Sequence, residues 1–391
     1  MNIGRLLAFL GISIAVLGGI HTYIWFRLVR STALPQPWRT LATVLIIVAA
    51  LSAPATLILR RAGSTVADAL YKPAMIWLGL AFILFFAVVA GDLVRLVVFV
   101  AGKLGGRPPS DPERRVFLAR LTGGAVAAVT AAAAGVAAFE ATNVRVKEVR
   151  VPLRRLPAAL DGLTIVQITD LHIGPTLGAS FLKRIVGQVN ALAPDVIAIT
   201  GDLVDASPEE IGDAVSAVGE LRARHGVYFV TGNHEYYAGV VPWMDFLAKL
   251  GVRVLRNERV SIGGPDASFD LAGIDDFSSE GMAPGHGPDL PRALEGRDPS
   301  RELVLLAHQP RAVVEAARLG VGLQLSGHTH GGQIWPWRYL VYLQQPFVSG
   351  LAREQDTWIY VSCGTGYWGP PFRLGAPPEV TRVVLASTRT A

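Results

Sequence analysis

The sequence predicts a two-part chain, a four-helix transmembrane region followed by an α/β domain built on parallel strands. Two observations carry that expectation. Hydrophobic content is 51% and mean hydropathy +0.39, too high for an ordinary soluble enzyme, and the excess lies at the front. Further on, an apolar run ends three times in a threonine and a polar cluster: Ile165 to Thr169-Asp170-Leu171-His172, Val196 to Thr200-Gly201-Asp202, and Val227 to Thr231-Gly232-Asn233-His234-Glu235. Successive threonines are 31 residues apart, about one strand–helix–strand unit. Near-continuous β-branched runs read as parallel strands covered on both faces. In such sheets ligands gather at the carboxyl ends of the strands, where these clusters fall.

Leu6–Phe26, Leu41–Leu59, Pro73–Gly91 and Leu121–Phe139 lack Lys, Arg, Asp and Glu and are of spanning length. They predict helices over about 6–28, 41–59, 73–100 and 121–139, a membrane region 1–139 and a second domain 140–391. Formal charge is +9 up to Phe139 and −4 from Glu140 onward. The pI near 9.5 therefore belongs to membrane loops and is no argument for nucleic acid. Cys363 is the sole cysteine, which excludes an intrachain disulfide and a Cys-based zinc site. Arg27, Arg30, Arg39, Lys103, Arg107, Arg114, Arg115 and Arg120 flank one side of the predicted spans, against Arg5, Arg60, Arg61 and Lys72 on the other. This bias places the carboxyl domain on the outer face of a bacterial-type cytoplasmic membrane. Arg114-Arg115 before an Ala/Gly-rich span also resembles a twin-arginine export signal. Asp92 and Arg95 read as an interfacial i,i+3 pair, and His21 and Trp25 as interfacial residues.

In the second domain, Val144–Leu153 alternates apolar and charged residues as a partly exposed strand, and Leu177–Leu192 has helical spacing. Ser207-Pro208-Glu209-Glu210 is a capping box opening a helix to about Arg224, with His225-Gly226 as its C-cap. Pro242–Leu250 is a further helix, and strands are expected near Val252–Leu255, Val260–Ile262, Phe269–Ile274, Leu303–Leu306, Val321–Leu325, Trp358–Ser362 and Val380–Leu385. Asp275-Asp276 read as turn acids or as outer-shell residues of the strand-end site, Asp205 as a loop acid or a member of that shell, and His286 as a solvent-exposed loop residue.

Five of the eight histidines, His172, His234, His308, His328 and His330, fall within a residue or two of a predicted strand end. Imidazoles, carboxylates and one amide oxygen suit Mn, Fe or Zn. Asp170-Leu-His172, Gly201-Asp202, Gly232-Asn233-His234-Glu235, His308 and Gly327-His328-Thr-His330 together resemble the calcineurin-like metallophosphoesterase pattern. The resemblance implies a four-layer α-β-β-α sandwich and two divalent or trivalent metal ions. By motif position, Asp170, His172, Asp202 and His330 resemble the ligands of one metal. Asp202, Asn233, His308 and His328 resemble those of the second, with Asp202 bridging and His234 as the non-ligand histidine near the leaving group. The tail Gly331–Trp337, Tyr360–Pro371 and Arg373–Glu379 is similar to membrane-linked, multi-span members of that family.

Such a metal pair can hold a bridging hydroxide for in-line attack on phosphorus, with Asp202 and His234 as catalytic residues. The expected activity is hydrolysis of a phosphomonoester, phosphodiester or pyrophosphate, lipid-linked and beside the bilayer. The rival readings are a UDP-2,3-diacylglucosamine-type pyrophosphatase and a membrane signalling protein with a silent phosphoesterase domain. Arg373 either binds a substrate phosphate or makes a structural salt bridge. Trp335, Trp337, Tyr339, Tyr342 and Phe347 either cover the core or form a lipid-facing lip.

Overall fold

The computed structural model describes residues 3–61, 63–106 and 111–388. The chain forms two compact units, Met1–Ala138 with Gly369–Phe372, and Phe139–Trp368 with Arg373–Ala391. Arg107 lies outside the described residues, as do the side chains of Arg5 and Arg61.

The first unit is helical: α1 (Ile3–Trp25), α2 (Trp38–Arg61), α3 (Thr65–Leu104) and α4 (Pro112–Glu140). Among the described residues, α2, α3 and α4 are long and apolar enough to cross a membrane. At 40 residues α3 overruns the expected span at both ends. Ser64 caps it by accepting from Ala67 N, and Asp68 in its first turn and Lys103 in its last complement the helix dipole. Two expectations are corrected. Asp92 pairs chiefly with Arg27, at 2.6 Å, and accepts from the Tyr23 hydroxyl, while Arg95 stands 3.9 Å away. His21 is buried and accepts from Trp77 Nε1 at 3.0 Å. Tertiary packing, which charge spacing alone does not show, has absorbed both groups.

The second unit holds two six-stranded sheets. The first contains β1 (Arg145–Leu153), β2 (Thr164–Ile168), β3 (Val196–Thr200), β4 (Val227–Val230), β5 (Arg253–Val254) and the last strand in the chain, Glu379–Ser387, which becomes β12. The second contains β6 (Glu258–Gly263), β7 (Ser268–Gly273), β8 (Leu303–Leu306), β9 (Leu323–Ser326), β10 (Gly350–Glu354) and β11 (Thr357–Val361). Strand orders are β1-β12-β2-β3-β4-β5 and β10-β11-β9-β8-β7-β6. From β2 to β5 all pairings are parallel, as are those from β7 through β9 to β11.

Alternation along each strand explains the core. Ile165, Val196, Ala198 and Val230 share one cluster with Leu271, Val304, Leu306, Leu323 and Leu325 of the other sheet. Their neighbours Val166, Ile197, Ile199 and Phe229 face α5 (Ala179–Ala191), α6 (Pro208–Val215) and α8 (Val240–Lys249) through Leu182, Ile185, Val215 and Trp243. α7 (Asn233–Ala238) precedes α8. On the second sheet Leu303 and Leu305 pack on α9 (Leu290–Ala293) and α10 (Val313–Arg318) through Leu290 and Ala316. A short α11 (Arg338–Val341) follows β9.

The capping box at Ser207 and Glu210 forms as expected. Its helix stops sooner, tightening to a 3₁₀ turn over Ser216–Glu220 and turning extended at Leu221, so His225 is no helix C-cap. Instead its carbonyl accepts from the Tyr228 hydroxyl at 2.8 Å.

Candidate metal centre

The polar clusters at the ends of β2, β3 and β9 turn the chain sharply. Asp170, His172, Asp202, His328 and His330 all have positive φ, between +49° and +69°. Left-handed backbone costs a residue with a side chain on the order of 1–3 kcal/mol, so five instances on one rim mark a site the rest of the fold holds in place. Glycines make the turns possible. A Cβ on Gly327 would overlap Asp170 Oδ2 and Thr169 Oγ1, and one on Gly232 would overlap the Asp202 carboxylate.

Three donor groups result among the described residues, their donor atoms within 4.8 Å of one another: Asp170, His172 and His330; Asp202, His308 and His328; and His172, Asp205 and His234. The first two concern the expected ligands. Asp202 faces both, its Oδ2 3.1 Å from His308 Nε2 and 3.9 Å from His172 Nε2. His172 Nε2 meets His330 Nε2 at 3.0 Å, and His328 Nδ1 meets His308 Nε2 at 3.2 Å. Ring nitrogens converging in this way on one another and on carboxylate oxygens suit a shared cation. Asn233 Oδ1 is buried without a hydrogen-bond partner, an acceptor in want of a positive charge. The donor set thus fits metal ions.

The ring contacts support the fit. His308 Nδ1 meets Thr200 O at 2.8 Å and His172 Nδ1 meets Asp205 Oδ1 at 2.8 Å, the kind of contact that orients a metal-binding imidazole through its other nitrogen. Burial, then the His308 charge, drives His328 down to about 3. Burial and Arg373 keep His330 neutral as well. Burial pushes the Asp202 carboxyl up, but His308 and His234 outweigh it and hold it well below the usual range. For Asp170 burial wins and the shift is upward.

The seven expected ligand residues and His234 are therefore brought together. His234 donates from Nδ1 to Asp205 Oδ1 at 2.7 Å, and its backbone N donates to Asp202 Oδ1 at 2.9 Å. Asp205, read from sequence as a loop acid, is thus the shared anchor of His172 and His234. Glu235 was also passed over. Fully buried, it accepts from Asp202 N, Leu203 N, Val204 N and Gly232 N at 2.7 to 3.3 Å, tying the β3 turn to the β4 turn. Its place in the Gly-Asn-His-Glu run was the available signal. Asp275 and Asp276 are both buried: Asp275 pairs with Arg256 at 2.7 Å, while Asp276 is a turn acid, accepting from Ser278 N at 2.7 Å, and also accepts from Gln309 Nε2 at 3.1 Å. The His286 side chain is 3% exposed and sits 3.0 Å from the Tyr236 hydroxyl, against the expectation of a solvent-facing loop residue.

Arg373 is buried too. Its Nε donates to Gly366 O, one terminal nitrogen to His330 O, Cys363 O and Ala376 O, and the other to His330 Nδ1 and Gly366 O. A salt bridge is not what holds it. The guanidinium locks the His330 loop to the Cys363–Ala376 segment. Cys363 is buried beside it, and burial raises its thiol to about 11.

The family model for calcineurin-like phosphoesterase matches residues 163–332. The chain is 40% identical over 318 residues to a transmembrane protein with metallophosphoesterase domain from Danio rerio, covering 78% of this chain and 70% of that one. It belongs to the calcineurin-like phosphoesterases. A like-named Bos taurus phosphoesterase is 45% identical over 251 residues, 61% of this chain, which spans 56% of that relative's length. An uncharacterised Campylobacter jejuni metallophosphoesterase is 32% identical over 377 residues, covering 96% of this chain and 97% of that one. As a member of this family the chain is a metal-dependent phosphoric ester hydrolase, and it carries helices long enough to cross a membrane.

Proposed function

We propose that the chain is a membrane-anchored dinuclear enzyme that hydrolyses a lipid-linked phosphomonoester, phosphodiester or pyrophosphate. The observation that supports this most is Asp202 facing both donor groups, with the unpartnered Asn233 oxygen carried by the residue before His234, whose backbone N donates to Asp202. Asp170, His172, Asp202 and His330 would hold one ion, and Asp202, Asn233, His308 and His328 the other. The helices on the outer faces of the two sheets are read as the four-layer α-β-β-α arrangement.

When bound, two such ions neutralise phosphate oxygens and acidify a water. The remaining work falls to side chains. With Nδ1 tied to Asp205, His234 offers Nε2 to the leaving oxygen. Burial lowers its pKa, but Asp202 and Asp205 outweigh burial and lift it to about 9. Tyr237 and Trp368, both exposed, stand edge-on to that ring at 5.3 and 5.7 Å. They give the leaving-group side an apolar wall, which suits a lipid or other apolar alcohol.

Elemental analysis of the full chain should find two metals, chosen among Mn, Fe and Zn by add-back after chelation. Asp202→Asn should lower occupancy of both sites, because one carboxylate serves both. A single metal in the parent protein, or two retained in the variant, would defeat the assignment.

A further inference from the structure

Between the ligand His330 and β10 the chain makes an excursion that buries little of its apolar surface. Trp335, Trp337, Tyr339, Leu340, Tyr342 and Leu343 are all exposed, Leu343 by 81% and Tyr339 by 61%. Six large apolar or aromatic residues exposed within nine positions exceed the scattered singles normal on a soluble surface. Phe347 behaves differently and packs against Val313, Ile359 and Val361.

The excursion is held at both ends by the ligand loops. Gly332 lies against the backbone of Arg338 so closely that a Cβ there would overlap it. Ile334 bridges to Leu374. At the far end, Gln345 accepts from Arg311 N at 3.1 Å and donates to Gln309 Oε1 at 3.1 Å, one residue from His308. Thr329, between His328 and His330, donates to Val348 O at 2.6 Å. An exposed apolar tip on so fixed a base is presented, not frayed.

We propose that Trp335–Leu343 is an interfacial element that seats its side chains in a lipid leaflet and so brings the metal centre to substrates lying in that leaflet. Three observations select lipid as the occupant. The same chain carries helices able to cross a membrane, and β1 begins at Arg145, shortly after α4 ends at Glu140. Trp and Tyr with leucines is the composition of the bilayer interface. From Gly331 to Arg353 there is no acidic residue, while Arg338 is present, as an anionic headgroup surface favours. The proposal deepens the lipid-linked reading above.

The test uses the full chain reconstituted in phosphatidylethanolamine–phosphatidylglycerol vesicles, with a nitroxide on Leu343→Cys and, as a control, on the exposed Glu209→Cys. The buried Cys363 provides an unsubstituted background. Oxygen, which partitions into lipid, should relax the Leu343 label more than a water-soluble nickel chelate does, with the reverse at Glu209. Chelate dominance at both positions would overturn the proposal. Exclusion of both reagents at Leu343 would also overturn it, because a second protein surface then covers the tip. In a parallel assay, a Leu340→Ser/Leu343→Ser variant should lose turnover of vesicle-embedded phosphatidic acid several-fold while hydrolysing soluble nitrophenyl phosphate at the parent rate. Equal loss on both substrates would count against the lip. A parent protein with metals but no hydrolysis of either substrate would instead remove the proposed activity, leaving the depth reading to stand or fall separately.

Discussion

Asp205 carries two histidines on one oxygen, His172 at 2.8 Å and His234 at 2.7 Å, so its removal separates two roles that look alike from outside. In the proposed centre His172 holds metal and His234 does not. His234→Ala should keep both metals and lose about 10²–10⁴ in rate, the usual contribution of a positioned acid. The loss should be smaller on nitrophenyl esters, whose leaving group needs little protonation. Asp205→Ala should cost both metal affinity and rate, by about 10–100-fold for the metal, as is typical when a ligand's orienting partner is lost. Metal titration of the two variants side by side checks this; unchanged affinity in Asp205→Ala would show that His172 is oriented by something else.

At the scale of elements, the strand-end turns carry the site, and their glycines can be probed without replacing a donor residue. Gly327→Ala would drive a Cβ into Asp170 and Thr169. It should destabilise the fold by about 1–3 kcal/mol, the range for overpacking, and should lower occupancy of the Asp170 group more than that of the His308 group. Denaturant unfolding and elemental analysis together read this, and a variant as stable and as metal-rich as the parent would contradict it. The same turns explain how much the sequence disclosed. β2, β3 and β4 were legible because both faces are buried, which makes the strand apolar throughout and leaves the threonine period visible. β10 was missed because Gly350–Glu354 alternates at a half-exposed edge and offers neither a run nor a charge pattern. α7 was missed because six residues beginning at Asn233 carry no period. The anchoring role of Asp205 and the burial of His286 were hard to read for a common reason: their partners are fixed by tertiary packing, as with His286 and Tyr236, 50 residues apart.

For the whole molecule, the open question is which side of the membrane the reaction serves. The basic residues between the apolar helices favour an inner side for the Arg27–Arg39 and Lys103–Arg120 loops. With α1 as a fourth crossing, the phosphoesterase part would lie outside the cytoplasm. A reporter that matures only after export, fused after Ala391, should then be active, and protease added to spheroplasts should cut the catalytic part. Protection from protease, with a cytoplasm-only reporter active, would reverse the orientation and make a cytoplasmic nucleotide-lipid the leading substrate.

The sheet order has a bearing on synthesis. β12 lies between β1 and β2, so the first strand of the domain has no neighbour in its sheet until the last one arrives. During translation, everything from Arg145 to Pro378 precedes the strand that joins β1 to the rest. A chain synthesised only as far as Pro378 therefore already carries every residue of the strand-end turns while β1 still lacks its partner.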